Sequence, residues 1–249
     1  MTPGGRHDRN RGGGLPVVSI DPEKLAASLR ALGDANDHDI SAALHDVIAA
    51  CVQLFGVSGS GLMIADQENV LRYAAASDGP GRVLEDVQSE TGQGPCVDTF
   101  VNGEITSTDD LAIETRWPAS RGTILEHGVR SVLGVPVHLG GVPVGSLDVY
   151  LDRPHRWDDS ERAALSRYSE VLETTLSAAL TARHAGQLAE QLQYALDYRV
   201  VIERAVGYLM ADQRVDGVTA FNMLRRVARN QRRKVAEVAQ HLLDTGTLP

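Results

Sequence analysis

The last 55 residues of the chain carry three consecutive stretches in which apolar residues recur at the spacing of one helix face. Asp216-Gly217 separates the first stretch from the second. The pattern predicts three short helices with brief connections over 195–243. Their apolar positions are Ile202, Ala205, Val206, Leu209 and Met210, then Phe221, Leu224 and Ala228, and finally Val235, Val238, Ala239, Leu242 and Leu243.

This segment is basic although the whole chain has a net charge of −9. It holds nine Lys/Arg against six Asp/Glu, and six of the nine fall within ten residues that contain no acid. A helix face that is merely solvated usually interleaves charges of both signs, so the concentrated run points to a polyanionic partner, above all nucleic acid. The six cations, called the basic run below, are Arg225, Arg226, Arg229, Arg232, Arg233 and Lys234.

The same segment resembles the ANTAR family over nearly its whole length. The resemblance is carried by Arg199-Val200-Val201-Ile202-Glu203, Ala205-Val206-Gly207-Tyr208-Leu209-Met210, Ala220-Phe221, Leu224-Arg225, Ala228, Lys234-Val235 and Val238-Ala239. It implies a three-helix RNA-binding module that binds paired short hairpins in nascent transcripts and prevents a terminator from forming. One departure is Val206, where the family usually has Lys.

The resemblance also implies an RNA-binding face. We expect that face to include Gly207, Met210, Ala220, Arg225, Ala228 and Arg232, with added charge from Arg226, Arg229, Arg233 and Lys234. Its four uncharged members, Gly207, Met210, Ala220 and Ala228, have an equally good interpretation as packing positions.

Length and composition set broad limits. A chain of 249 residues is long enough for two domains, and 43% hydrophobic residues support a substantial core. The aromatic content of 4% argues against a single-strand binder that stacks bases on aromatic side chains. No apolar run predicts a membrane span, and Met1 to Gly14 predicts a disordered, Gly-rich tail rather than a signal peptide. Two cysteines, Cys51 and Cys96, make a disulfide framework unexpected and suit a reducing cytoplasm.

The first two-thirds of the chain predict a mixed domain. Helical periodicity covers 21–32 and 40–55, strand-like runs cover 62–66 and 70–76, and a hairpin is predicted at 132–139 and 142–151 around Gly140-Gly141. The second hairpin strand alternates apolar and polar residues and should be half-buried. The stretch between the two strand pairs reads as long and irregular, followed by one helix before the hairpin. This order predicts an α+β fold with an antiparallel sheet.

The central region resembles a GAF domain. The resemblance is carried by Asp109-Asp110-Leu111, Arg116-Trp117-Pro118, Gly128-Val129-Arg130-Ser131-Val132-Leu133-Gly134-Val135-Pro136 and Gly145-Ser146-Leu147-Asp148-Val149-Tyr150. It implies a small-molecule or redox sensor with a six-stranded sheet flanked by helices, and the NKFDE motif of cyclic-nucleotide-binding members is absent. The predicted order is a disordered tail (1–18), a GAF-like sensor (19–180), a helical linker (181–194) and an all-α three-helix ANTAR bundle (195–249). A long helix joins the two domains.

Thr91, Gly94, Cys96 and Trp117 are the candidate ligand-sensing residues. The stretch Thr91-Gly92-Gln93-Gly94-Pro95-Cys96 could present backbone amides or a thiol to a ligand, but a tight turn with a buried Cys96 is the favoured interpretation. Cys51 lies on an apolar helical stripe and is assigned to the core. The histidines show no metal spacing, so no metal or haem is predicted, and the cofactor of the sensor is left as an unnamed small molecule.

The joint between the domains is predicted to be helical. Trp157-Asp158-Asp159-Ser160-Glu161 resembles a capping box, and no proline follows until after Ala211. The leucines from 172 to 180 fit packing on their own domain. Leu188, Leu192 and Leu196 have no evident core and are predicted to pair with a second chain as a dimer helix.

The leading interpretation is therefore a cytoplasmic, bacterial, actinobacterial-like antiterminator that is not an enzyme. Its expected partners are RNA hairpins in nascent mRNA, the transcription complex indirectly and a second copy of the chain, with no membrane. Two alternatives stay open: a thiol enzyme similar to free methionine sulfoxide reductases, with Cys96 as nucleophile, and a regulator that binds duplex DNA.

Overall fold

The computed structural model describes residues 20–34, 40–66, 70–182 and 186–249. The predicted tail over 1–18 lies outside these ranges. No helix in the described residues has the length and hydropathy needed to cross a membrane. The elements are α1 (Pro22–Asp34), α2 (Ile40–Phe55), β1 (Gly59–Ala65), β2 (Leu71–Ala76), α3 (Gly79–Thr91), α4 (Pro95–Asn102), β3 (Thr106–Thr108), α5 (Arg121–Glu126), β4 (Ser131–Leu139), β5 (Val142–Leu151), α6 (Asp159–Ala182), α7 (Gly186–Gln213), α8 (Gly217–Gln231) and α9 (Val235–Thr245).

The described strands form one antiparallel sheet of five strands in the order β2-β1-β5-β4-β3. The predicted hairpin is confirmed as β4 and β5. Gly140 and Gly141 both have positive φ, at 59° and 81°, as a two-residue hairpin turn of the primed type requires. The family resemblance led us to expect six strands, and the short edge strand β3 was not predicted from the sequence.

One face of the sheet is covered by α1, α2 and α6 and is almost wholly apolar. Side chains from alternating strand positions meet the apolar stripe of α2, whose predicted bounds match the observed helix. Cys51 is fully buried there, as its position on the stripe predicted. The buried side chains of this face include Leu62, Ile64, Leu133, Val135, Leu147, Val149, Leu165, Tyr168, Leu172 and Leu176.

The opposite face is covered by α3 and α4, which lie in a stretch that the sequence predicted to be irregular. The stretch resembles a loop because glycines lie at the ends of both helices. Gly92 caps α3 in the left-handed region, and Gly94-Pro95 begins α4 two residues later. Because these helices cover the sheet, the predicted half-buried character of β5 is wrong. Asp148 and Tyr150 on its polar face are buried as well.

The C-terminal helices form a compact bundle. The second half of α7 packs against α8 and α9 around a core that includes Ile202, Ala205 and Leu209. Asp216 caps α8, since its carboxylate accepts a hydrogen bond of 2.7 Å from the Thr219 amide. Helices α6 and α7 lie on either side of residues 183–185, which are outside the described ranges, so the single helix expected to join the domains stays a prediction. The three-helix bundle is thus confirmed.

Candidate nucleic-acid interface

The basic run lies around one corner of the bundle. Helix α8 carries the first three arginines, and Arg232 ends it with a left-handed backbone at φ 53°. The Arg233 amide then donates to the Ala228 carbonyl at 2.9 Å, which closes the helix end. Lys234 is the N-cap residue of α9. The turn therefore gathers cations from the end of α8 and the start of α9.

The cations of the run differ in exposure. Arg226, Arg229 and Arg232 are exposed, and no ion pair is found for them within the described ranges. Arg233 and Lys234 are half-buried: Arg233 pairs with Glu237 at 3.5 Å, and the Lys234 ammonium lies 4.8 Å from the centroid of the Tyr194 ring. Exposed guanidinium groups are suited to phosphate oxygens, because they offer several donors and keep their charge.

Arg225 behaves differently, since its side chain points toward the N-terminal domain. Only 7% of Arg225 is exposed, and its Nη2 donates to the Ser89 carbonyl at the end of α3, at 3.1 Å. Burial, followed by the charge of Arg229, lowers the pKa of Arg225 to about 10. A residue predicted to contact RNA is therefore held in an interdomain contact.

Further contacts attach α8 to the N-terminal domain. Asn222 Nδ2 donates to the Gly92 carbonyl at 2.9 Å, and the rings of Phe221 and Phe100 meet edge to face with centroids 6.2 Å apart. Together with Arg225, these side chains place the face of α8 against the α3–α4 corner. We call this contact the docking interface.

Arg199 on α7 extends the docking interface to α4 with a second buried arginine. It is 3% exposed, and its guanidinium lies 4.6 Å from the centroid of the Phe100 ring. Its Nη2 donates to the carbonyls of Phe100 and Val101 at 3.2 and 3.3 Å, while Nε pairs with Glu203 at 2.9 Å. Burial lowers the pKa of Arg199. Sequence reasoning missed this role, because an isolated arginine on a helix carries no signal of what it will touch.

The uncharged members of the predicted RNA face separate into two groups. Gly207 and Met210 are exposed on α7, whereas Ala220 and Ala228 are buried in the bundle core. The two alanines thus occupy packing positions, one of the two interpretations that the sequence left open. Val206, which replaces the family lysine, is partly buried against the same core.

Three of the candidate ligand-sensing residues, Thr91, Gly94 and Cys96, lie in the α3–α4 corner that α8 contacts through Asn222. Thr91 Oγ1 donates to the Val87 carbonyl, and Gly94, at φ 142°, packs on Gln88 with no room for a side chain. Trp117 is buried and donates to Asp98 at 2.9 Å. Cys96 is fully buried, which agrees with the favoured interpretation. The 91–96 segment therefore faces α8, and its ligand role stays a prediction.

A buried polar cluster lies between the sheet and α3–α4. Gln88 donates to Cys96 Sγ at 2.8 Å, and Ser146 donates to Asp148 at 2.9 Å. Burial, followed by the nearby charge of Asp148, raises the pKa of Glu85 to about 10. Burial raises the pKa of Asp148 to about 7. Glu85 and one oxygen of Asp148 have no hydrogen-bond partner in the described residues, so the cluster is costly to ionise.

The same environment bears on the thiol-enzyme alternative. Burial raises the pKa of Cys96 well above its ordinary value, so the reactive thiolate is disfavoured. The other cysteine, Cys51, lies in the core on the opposite face of the sheet. No group of three or more His, Cys, Asp or Glu within the described ranges is arranged to hold a metal ion.

Of the three leucines predicted to form the dimer contact, the structure describes the side chain of Leu196. Leu196 is partly buried against the core of the N-terminal domain, a core that the sequence did not reveal. The side chains of Leu188 and Leu192 lie outside the described residues.

Comparison with known families matches this arrangement. A model described as the GAF domain matches residues 39–176, more than half of the chain, and a model described as the ANTAR domain matches residues 190–243. The chain therefore belongs to the GAF domain family and carries a C-terminal ANTAR domain, the RNA-binding domain of antiterminators. Both resemblances drawn from the sequence are confirmed, and the combination is consistent with a signal-responsive RNA-binding regulator.

Individual relatives support the fold. Over 82 residues the chain is 33% identical to a methyl-accepting chemotaxis protein of Synechocystis sp., covering 32% of this chain and 8% of that protein. The GAF domain of a phosphoenolpyruvate-protein phosphotransferase from Coxiella burnetii aligns with a TM-score of 0.52 at 18% identity, covering 64% of this chain and 96% of that domain. Free methionine-R-sulfoxide reductase from Neisseria meningitidis aligns with a TM-score of 0.51 at 20% identity, covering 64% and 90%. Such identities show a shared fold alone.

Proposed function

We propose that this protein is a cytoplasmic antiterminator that binds paired hairpins in nascent mRNA and prevents transcription termination, under the control of its GAF domain. The observation that carries the proposal is the cluster of exposed arginines where α8 meets α9, on a domain whose family binds RNA. The transcription complex would be affected indirectly, through the hairpin that the protein holds. Both matched domains are regulatory modules, and we assign no catalytic role to Cys96.

The chemistry of the corner supports RNA as the ligand. Arg226, Arg229 and Arg232 can neutralise phosphates, and each neutralised phosphate releases counterions. Gly207 and Met210 are exposed on α7, where they are free to contact loop bases as the family resemblance implies. Low aromatic content fits recognition of hairpin shape and phosphates rather than base stacking.

The docking interface supports control by the GAF domain. In the docked arrangement, Arg225 and Asn222 hold carbonyls of the α3–α4 corner, so these side chains are withheld from RNA. RNA must therefore compete with the docking contacts for the same face of α8. A signal that weakens docking would raise RNA affinity, and by linkage RNA would favour the undocked state.

A salt-dependence experiment tests RNA binding. The probe is an RNA with two short hairpins, selected in vitro for binding to the full chain. In Arg226→Gln/Arg229→Gln/Arg232→Gln the slope of log K against log salt should shrink in magnitude by roughly 2 to 3, because three phosphate contacts are lost.

The matched control is Arg153→Gln/Arg156→Gln/Arg167→Gln, which removes three exposed charges from the GAF domain. It should leave the slope unchanged. An equal loss of slope in both triple variants would show that only overall charge matters, and the proposed interface would be wrong.

We further propose that the chain acts as a homodimer, with Leu188 and Leu192 of α7 in the dimer contact. Two linked RNA-binding domains would bind paired hairpins with a gain in effective concentration. Sedimentation of the full chain should show a dimer that Leu188→Glu/Leu192→Glu converts to a monomer. A dimer that persists in this variant would place the contact elsewhere.

A further inference from the structure

A cavity of about 680 Å³ lies between the two domains, beside the docking interface. Its walls come from Val70 and Arg72 of the GAF domain, the end of α3 at Ser89 and Glu90, and the corner formed by α8 and α9. Sites for small molecules commonly have volumes of roughly 300 to 1,000 Å³. The cavity is therefore large enough for a metabolite, and both domains contribute to it.

The cavity has a strong excess of positive charge. Among the described lining residues, Glu90 is the one carboxylate and six are cations. Within the described residues, Asp66 pairs with Arg72 at 2.6 Å and Glu237 pairs with Arg233 at 3.5 Å, so these two ion pairs offset part of the positive charge. The six cations are Arg72, Arg225, Arg229, Arg232, Arg233 and Lys234. Like charges gathered in a partly desolvated space repel one another, and a multivalent anion would offset that repulsion.

Arg225 provides an independent indication of a ligand. It lines the cavity, is 7% exposed and uses Nη2 on the Ser89 carbonyl, but its Nε has no hydrogen-bond partner in the part of the chain that the structure describes. A buried charged donor normally has a partner. Arg229 adds a charge of the same sign close by, Asp66 offsets part of its effect, and Arg72 adds a smaller repulsion, so an anion would further stabilise the Arg225 charge.

The start of α9 adds backbone donors at the same place. Lys234 is the N-cap of this helix, and both Lys234 and Val235 line the cavity. The first amides of a helix lack partners within it, and the helix dipole favours negative charge there. Backbone amides, guanidinium forks and an ammonium together form the donor set that phosphate groups prefer.

We propose that this interdomain cavity binds the phosphate chain of a small phosphorylated molecule. Arg72 holds the ligand from the GAF domain, and Arg225 and Arg229 hold it from the ANTAR domain. Because both domains contact it, the ligand stabilises the docked arrangement. It also occupies arginines of the RNA face, so it competes with RNA; this last step rests on the proposed function, whereas the binding itself does not.

Calorimetric titration of the full chain with inorganic tripolyphosphate tests the site. We expect one site per chain, with affinity about tenfold weaker in Arg72→Gln, which removes a charge-assisted contact without touching the ANTAR domain. Arg153→Gln removes an exposed GAF charge that does not line the cavity and should bind like the wild type. Glu90→Gln removes the lining carboxylate and should bind more tightly, which separates the effect from misfolding.

The arms of the titration define the ligand. Tighter binding of ATP than of tripolyphosphate would identify a nucleotide, equal binding would identify the phosphate chain alone, and adenosine should not bind. Equal affinity of tripolyphosphate for the wild type, Arg72→Gln and Glu90→Gln would show general screening and overturn the proposal.

The RNA arm separates this proposal from the proposed function. Saturating tripolyphosphate should displace the two-hairpin RNA, and RNA binding that persists unchanged would overturn the competition. If the chain binds tripolyphosphate as expected but binds no RNA, the proposed phosphate site is supported and the proposed RNA-binding function is wrong.

Discussion

The two faces of the GAF sheet are both buried, but they are buried by different chemistry. The face under α2 and α6 is apolar, with fully buried side chains such as Leu147 and Leu172. The face under α3 and α4 holds Glu85 and Asp148, and beyond these helices the ANTAR domain docks through Arg199 and Arg225. One face is packed with apolar side chains that stabilise the fold, and the other places polar groups between the sheet and the ANTAR domain.

This difference suggests how a signal could travel. Apolar packing is insensitive to small changes in charge, whereas buried carboxyl groups and arginines that hold carbonyls respond to protonation or to a bound anion. The α3–α4 layer touches the polar cluster on one side and α8 on the other. A change in that layer would therefore alter docking without disturbing the apolar face.

The largest expected effect comes from the apolar face. Leu172→Ala removes a fully buried side chain on α6 and should lower the free energy of unfolding by about 2 to 5 kcal/mol, since it leaves a cavity in a packed core. Denaturant titration measures this loss. RNA affinity of the folded fraction should stay at the wild-type value; a change in affinity would show that the two faces are not independent.

The buried carboxyl groups on the polar face should make the free energy of unfolding depend on pH. The pKa of Glu85 is about 10 in the folded chain against an ordinary 4.5, so the folded state keeps a proton that the unfolded state releases between these values. Stability should therefore fall as pH rises through this window, by up to about 1.4 kcal/mol per pH unit. Asp148, with a pKa of about 7, adds to the fall only below neutral pH.

Glu85→Gln keeps the shape of the protonated carboxyl and removes its titration. The variant should lose most of the decline between pH 7 and 10 and keep the Asp148 part at lower pH. Denaturant midpoints measured across this range provide the test, with exposed Glu170→Gln as the control. A slope in Glu85→Gln equal to that of the wild type would mean that Glu85 is ionised in the folded protein.

Sequence periodicity predicted the elements whose apolar positions repeat over many residues. Helix α2, the β4–β5 hairpin around Gly140-Gly141 and the three C-terminal helices follow from local patterns. The basic run was equally visible, because charge can be read from composition. These features depend on near neighbours in the chain, and one sequence is enough to show them.

The docking interface could not be predicted in this way. Helices α3 and α4 are short and are separated by Gly92 to Gly94, which resembles a loop. The burial of β5 on both faces and the environment of Arg225 depend on contacts between residues that are distant in the chain. Tyr150 contacts Asp78, 72 positions away, and Arg225 contacts Ser89, 136 positions away. Periodicity within one element carries no information on such partners.

Gly92→Asn tests, without replacing an arginine, the proposal that docking withholds part of the RNA face. A Cβ atom at Gly92 would lie 2.5 Å from Asn222 Oδ1 and 2.9 Å from Arg225 Nη1, so both flexible side chains would be displaced. Asn tolerates the left-handed backbone at φ 67°. The control is Gly56→Asn, at φ 59° with nothing within 4 Å of the added atom.

The measurement is the affinity of each full-length variant for the two-hairpin RNA at one salt concentration. Loss of two interdomain hydrogen bonds, worth about 1.4 kcal/mol together, should make Gly92→Asn bind about tenfold more tightly than Gly56→Asn. If Gly92→Asn binds the RNA no more tightly than Gly56→Asn, docking does not restrain the RNA face and the account is contradicted.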